Sequence, residues 1–210
     1  MVRSYPSESF AKQGPRRAAH EASPVSLYRT WRPKSFDDLV GQDAVVRTLR
    51  TALSSGKLAH AYLFSGPRGS GKTSAAKILA RCIDCVRGPT PDPDNTCDNC
   101  REILAGTALD VIELDAASNR GIDEIRALRD SAKFAPSSMR MKVFIVDEAH
   151  MLTIHGANAF LKTLEEPPPH VLFILATTEP EKLPATILSR CQRYAFRRIP
   201  VDVMIERMRE

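Results

Sequence analysis

Four short apolar runs punctuate the chain: AYLFSG (61–66), VIELD (111–115), VFIVDE (143–148) and VLFILATT (171–178). Each has the length of a strand and is bounded by polar or turn residues. The runs are mostly uninterrupted rather than alternating, which suits strands buried on both faces of a parallel sheet. Helical spacing fills the gaps between them. Residues 42–54 place Val45, Val46, Leu49 and Leu53 on one face, and an alternating stretch runs on from Thr73 to Ala80. Ile122, Ile125, Leu128 and Ala132 recur at helical spacing, as do Phe160, Leu161 and Leu164, where EEPPP (165–169) stops the helix. Strands alternating with helices predict an α/β domain with a mainly parallel sheet. VDVMIERMRE (201–210), after Pro200, predicts a further helix that opens a second domain.

The 210 residues suffice for one good-sized domain, or one domain and part of another, and 43% hydrophobic residues can fill a core. No apolar run reaches the length of a membrane span, and the N-terminus has no secretory pattern. The net charge of +5 resides in residues 1–35, which hold seven Lys or Arg against two Asp or Glu, while the other 175 residues balance at 23 of each sign. That Ser-, Pro- and Arg-rich start lacks periodicity. Residues 1–25 therefore read as a disordered basic extension, with a DNA-binding arm as the alternative.

GPRGSGKT (66–73) fits G-x-x-x-x-G-K-[ST], with an apolar strand before it and a helical stretch after it. Gly66, Pro67, Arg68, Gly69, Ser70, Gly71, Lys72, Thr73 and Ser74 form the expected phosphate-binding loop. Glycines let several backbone N–H groups converge on one anion, and the following helix aims its positive end at the same point. Lys72 supplies a mobile charge for the outer phosphates, and the Thr73 hydroxyl suits Mg2+. Asp147 ends the third apolar run, where ligands bind in open α/β sheets. Its carboxylate suits the Mg2+ shell, and the adjacent Glu148 is placed to polarise a water. Thr177 and Thr178 end the fourth run, where a hydroxyl can sense the γ-phosphate. Together these residues predict binding and hydrolysis of ATP. Arg190, in ILSRC, is on its own no more than a surface ion-pair partner.

Cys82, Cys85, Cys97 and Cys100 form two C-x2-C pairs separated by eleven residues. Four thiolates at that spacing predict one closed, structural Zn2+ site. Disulfides and a redox pair are the alternatives, and a P-loop ATPase in a reducing cytosol favours the metal. Cys191 has no partner and reads as a packed thiol.

Taken together, LYRTWRPKSFDDLVGQDAVVRTL, HAYLFSGPRGSGKTSAAKILA, CDNCREI, DAASNRGIDEIR, VFIVDEAHMLT and AFLKTLEEPPPHVLFILATTEPEKLPATILSRCQR resemble the tau/gamma subunits of bacterial DNA polymerase III. These are the AAA+ ATPase motors of sliding-clamp loaders. The resemblance runs from about Ser26 onward. It implies a five-stranded AAA+ domain at 26–197 with a zinc module inserted at 82–100, and the start of a helical lid at 198–210. It implies ATP hydrolysis, at the interfaces of a cytoplasmic, replisome-associated assembly of AAA+ subunits, in the service of DNA-directed DNA synthesis. Partners would be delta and delta-prime-like subunits, further tau/gamma copies, the sliding clamp and primed DNA, with no membrane. Glu148 becomes the catalytic Walker B acid, Thr178 (with Thr177) the sensor hydroxyl, and Arg190 a finger on a neighbour's ATP. Arg32, Pro33 and Val40 would line the adenine pocket. The SNRGIDEIR helix would face DNA.

Two departures stand out. The family packs three zinc cysteines as C-x2-C-x2-C, and here Asp94 occupies the first of those positions, so Cys82 is expected to replace it. The family also continues through a complete lid and an oligomerisation collar. The rival readings are a related AAA+ replication motor without the cysteine module, and a nucleotide-binding scaffold without turnover.

Overall fold

Every residue of β4 (Val171–Thr177) is buried, and the sheet is built outward from it. The computed structural model describes residues 32–118 and 122–209, so the expected 1–25 extension lies outside the described residues. One compact unit begins at Pro33. Its elements in chain order are α1 (Asp43–Ser54), β1 (Ala61–Ser65), α2 (Lys72–Asp84), α3 (Asp98–Ala105), β2 (Val111–Asp115), α4 (Ile122–Ala132) and β3 (Lys142–Asp147). A 3-10 turn (Ala149–Met151), α5 (Ile154–Glu165), β4, a second 3-10 turn (Pro180–Lys182), α6 (Ala185–Leu188), β5 (Gln192–Ala195) and α7 (Val201–Arg209) follow.

The five strands lie in the order β2-β3-β4-β1-β5, and every pairing is parallel. Parallel neighbours need crossovers, and the helices that supply them cover both faces. Alternate strand residues divide between two cores. Tyr62, Phe64, Val143, Ile145, Leu172 and Ile174 pack with Leu49 of α1 and Ile78 and Leu79 of α2. Leu63, Phe144, Val146, Phe173 and Leu175 pack with Ile125 and Leu128 of α4 and Phe160 and Leu164 of α5. Aromatic contacts tighten each side. Phe64 lies 5.2 Å from Phe196 and 5.7 Å from Tyr194, and Phe173 lies 4.7 Å from Phe160 between ring centroids. Such pairs add about 0.5–1.5 kcal/mol each beyond their burial.

The four apolar runs are β1 to β4. The fifth strand, implied by the resemblance and invisible in the hydrophobic pattern, is β5. It is an edge strand with Tyr194 alone buried, so its sequence QRYA carries no apolar run. The expected helices are α1, α2, α4 and α5, with Val45, Leu49 and Leu53 buried on α1. α3 lies inside the cysteine module and has no counterpart among the expected helices. Helix α7 follows Pro200 as expected.

Two buried acids brace the back of the sheet. Asp110 accepts the N–H groups of Ser137, Ser138 and Met139 at 2.8–3.0 Å, which holds the turn entering β3. Burial opposes its ionisation, but these N–H donors and Lys142 leave its pKa lowered. Asp84, at the end of α2, accepts the Met141 N–H at 2.8 Å, and its second oxygen has no hydrogen-bond partner. Burial pushes its carboxyl up to about 7, against the N–H groups of Met141 and Arg140 and with help from the nearby Asp110. An acid whose pKa is raised on folding destabilises the fold as pH climbs from its unfolded value to its folded one. Asp84→Asn keeps the acceptor for Met141 and removes that cost. The variant should gain stability over the parent by an order of 2–4 kcal/mol at pH 8. The gain should fade toward pH 4, as read from urea denaturation at both pH values.

Candidate functional site

Strand β1 ends under the fifth strand's exit, and that contact explains the first glycine of the loop. Gly66 has φ +149, and a Cβ there would stand 2.4 Å from the Phe196 carbonyl oxygen. Gly71, with φ 94, is the residue from which α2 starts. Such angles are open to glycine and strained for other residues. Ser70 is buried, and its hydroxyl donates to the Pro67 carbonyl at 2.8 Å, which tightens the loop. Lys72 is almost fully buried. Its Nζ donates to the Gly66 and Pro67 carbonyls at 2.8 and 2.9 Å. Burial lowers its pKa, and the carboxylates of Glu148 and Asp147 oppose that fall.

The ends of β3 and β4 bring the acids and hydroxyls to this loop. Thr73 donates its hydroxyl to Asp147 Oδ2 at 2.7 Å, so the two expected Mg2+ ligands meet across 74 residues of sequence. Glu148 sits in the left-handed region at φ 47, ψ 46. A non-glycine residue held there costs roughly 1 kcal/mol or more and needs its surroundings to hold it. Its carboxylate accepts from the Thr178 hydroxyl at 3.1 Å and faces the Arg68 guanidinium at 3.4 Å. His150, within VFIVDEAHMLT and without a role in the sequence analysis, is also here. Its side chain is 7% exposed, with Nδ1 3.6 Å from Glu148 Oε2 and 3.0 Å from the Thr177 hydroxyl. The available signal was its position three residues past Asp147.

The cysteine module differs from expectation. Among the described residues, Cys85, Asp94, Cys97 and Cys100 offer ligand atoms that all lie within 4.8 Å of one another. Cys82 is absent from this group. It is fully buried in the core beside Ile83 and Ile103, and its thiol donates to the Pro91 carbonyl at 3.6 Å. Burial pushes that thiol up to about 12. Cys82 lies within α2 and faces the core, whereas Cys85 caps the helix in an extended conformation, φ -54, ψ 143, which turns it toward the module. Asp94 takes the place expected for Cys82. One of its oxygens accepts the N–H groups of Thr96 and Cys97 at 2.8 and 2.9 Å, which fixes the carboxylate beside the thiols. Burial works against a thiolate at Cys85, but N–H groups around Asp94 and Arg87 and the Cys100 and Cys97 thiols leave its pKa lowered. Cys97 caps α3, its sulfur accepting the Cys100 N–H at 3.4 Å.

A family profile described as "DNA polymerase III, delta subunit" matches residues 41–200. The chain belongs to this family of DNA polymerase III subunits. It is 57% identical over 183 residues to the DNA polymerase III subunit tau of Bacillus subtilis, covering 87% of this chain and 32% of that protein. It is 52% identical over 176 residues to the tau subunit of Escherichia coli, covering 84% of this chain and 27% of that protein. The chain thus spans about a third of the length of these curated relatives. A solved DNA polymerase III gamma subunit-related protein from Thermotoga maritima matches with TM-score 0.54 and 25% identity over 77% of this chain and 47% of that one. The Holliday junction branch migration motor RuvB of Thermotoga maritima matches with TM-score 0.59 and 22% identity over 85% of this chain and 53% of that one, a likeness of fold. The parallel five-stranded P-loop architecture expected from the sequence is therefore the observed one.

Gly69 lies in the loop, in open space at φ +75, and Ser74 lies in the first turn of α2. Arg190 follows α6, and its guanidinium donates to the Thr186 carbonyl at 2.7 Å and pairs with Glu165 at 2.6 Å. Pro33 and Val40 are half-buried in the segment before α1, while Arg32 falls in a separate N-terminal unit. Residues 119–121 of the expected DNA-facing segment lie outside the described residues.

The two loop glycines separate crowding from backbone strain. Gly66→Ala forces the new methyl into the Phe196 backbone and should cost on the order of 2–3 kcal/mol in a denaturant melt. Gly69→Ala carries only the left-handed backbone penalty and should cost about 1 kcal/mol.

Proposed function

We propose that this chain is the ATPase domain of a clamp-loader motor subunit. It would bind and hydrolyse ATP so that its assembly loads a sliding clamp on primed DNA during replication. The observation that carries the reading is the convergence of Thr73 and Asp147 at 2.7 Å, with Glu148 held by the sensor-position hydroxyl of Thr178 at 3.1 Å. The helix start and loop N–H groups bind phosphates, and Lys72 exchanges its contacts with the Gly66 and Pro67 carbonyls for the outer phosphate oxygens. Thr73 and Asp147 are oxygen donors of the kind a hard cation takes. Mg2+ held there supplies charge neutralisation of the transferred phosphoryl group. Glu148 orients the attacking water and draws its proton, and Thr178 aims the carboxylate. Arg190 leaves Glu165 to reach a neighbouring subunit's ATP, so full turnover requires assembly. Pro33 and Val40 contact the adenine. The partners are delta and delta-prime-like subunits, further copies of the motor, the clamp and primed DNA, and the setting is the cytoplasmic replisome. Among the described residues no helix is long and apolar enough to cross a membrane.

Lys72→Ala should abolish ATP binding. Glu148→Gln should retain ATP and lower turnover by roughly 100-fold or more, in line with general-base loss, as measured by nucleotide titration and phosphate release with partners, clamp and primed DNA present. A chain that binds ATP equally in both parent and Glu148→Gln, with no turnover in the complete assembly, would be the scaffold instead.

The cysteine module reads as a structural Zn2+ site with Cys85, Cys97, Cys100 and the Asp94 carboxylate as its ligands. Three sulfurs and one oxygen form a donor set that zinc accepts, and Zn2+ there supplies folding energy rather than chemistry. The expected result is one zinc per chain by elemental analysis. That zinc is lost in Asp94→Ala and retained in Cys82→Ala. Retention in the first and loss in the second would restore the four-cysteine set. With Co2+ in place of zinc, Asp94→Cys should raise the thiolate-to-metal charge-transfer absorption and Cys82→Ala should leave it unchanged.

A further inference from the structure

Glu148 is strained at φ 47, and its carboxylate is approached by side chains from different elements. Thr178 holds Oε2 from beyond β4, and Arg68 approaches Oε1 from a side chain that is 87% exposed. An exposed arginine is a weak restraint. His150 is the buried one. Its ring stands behind the Glu148 carboxylate, Nδ1 3.6 Å from Oε2, and the same nitrogen is 3.0 Å from the Thr177 hydroxyl. Thr177 is wholly buried as the last residue of β4, and its oxygen also accepts the Glu179 N–H at 3.1 Å. On the far side of the ring, Nε2 is 4.0 Å from Glu179 Oε1, and Glu179 is itself paired with Lys182.

We propose that His150 is a positioning residue that brackets the end of β3 to the end of β4, so that the Glu148 carboxylate and the Thr178 hydroxyl keep a common frame. The inference rests on the ATPase reading above and deepens it. The two strands pair in register up to Val146 opposite Leu175. Glu148 and Thr178 lie beyond the last paired residues of this ladder. Within the buried space between the two ends, the imidazole supplies the polar link through Thr177. A shift at the γ-phosphate felt by Thr178 moves the end of β4 and is then transmitted to the base through a rigid ring instead of a flexible chain. The bracket touches neither nucleotide nor metal, so its loss misaligns the base without weakening nucleotide binding. Misplacing a reacting group by about 1 Å can cost on the order of 100-fold in rate.

The test uses the full-length protein in its assembly, with ATP, and reads nucleotide affinity, KM and kcat separately, with thermal melts beside them. His150→Ala should lower kcat roughly 10- to 100-fold with ATP affinity unchanged. His150→Asn should recover most of that loss, because its amide falls where Nδ1 was and can donate or accept. His150→Gln, whose amide reaches the Nε2 position instead, should not. Thr177→Val should reproduce the defect, and adding it to His150→Ala should bring little further loss. Unchanged kcat in His150→Ala overturns the bracket. So does equal recovery by Asn and Gln, or a kcat that follows melting temperature across the series. If the parent assembly binds ATP without turnover, the hydrolysis reading itself falls and takes the bracket with it, an outcome distinct from a working parent with indifferent variants. Should His150→Ala fail to fold, the comparison of Asn with Gln still decides.

Discussion

The burial of β1, β3 and β4 on both faces is the constraint from which the rest follows. A parallel strand in the middle of a three-layer domain has no solvated side, so its residues must be apolar along its length. Polar chemistry is therefore confined to the strand ends. β4 is buried at all seven positions and β3 at five of six, with Asp147 the exception. Because the strands point the same way, their carboxyl ends lie together, and Ser65, Asp147 and Thr177 arrive at one edge with the loops that follow them. The registers that oppose Ser65 to Thr177 and Val146 to Leu175 bring the loop after β1 level with the acids at the end of β3.

Helix α2 joins the two candidate sites. Its N-cap is Gly71 of the glycine-rich loop and its C-cap is Cys85 of the cysteine cluster. Between them it is buried almost throughout its second half, including the charged Arg81 and Asp84. Arg81 is fully buried and hydrogen-bonds Asn95 of the module, while Asn99 of α3 donates to the Asp84 carbonyl at 2.7 Å. The module thus anchors the far end of the helix whose near end opens from the glycine-rich loop.

Motif and strand were legible in the chain because each is set by local rules. Glycine spacing encodes a turn whatever surrounds it, and a strand buried on both faces writes an unbroken apolar run. β5 was not legible in the pattern, since an edge strand with one buried side chain has no such run. Helix α3 was hidden for a similar reason: its eight residues carry two buried positions, Cys100 and Ile103, too few to make a period. The cysteine cluster misled by spacing. C-x2-C at Cys82 and Cys85 looks like a knuckle, but the first of the pair is still inside a helix that faces the core.

The chain's own letters determined the parallel α/β class, the phosphate loop, the paired acids and the existence of a cysteine module, because residue type and short-range spacing govern each of these. The tertiary structure decided which side chains meet. Asp94 rather than Cys82 joins the three thiols, since the direction in which α2 turns each cysteine depends on what the helix packs against. His150 comes against Thr177 and Glu148 because two strands distant in sequence end side by side. Such meetings are properties of register and packing, which arise between elements and leave no trace within any one of them.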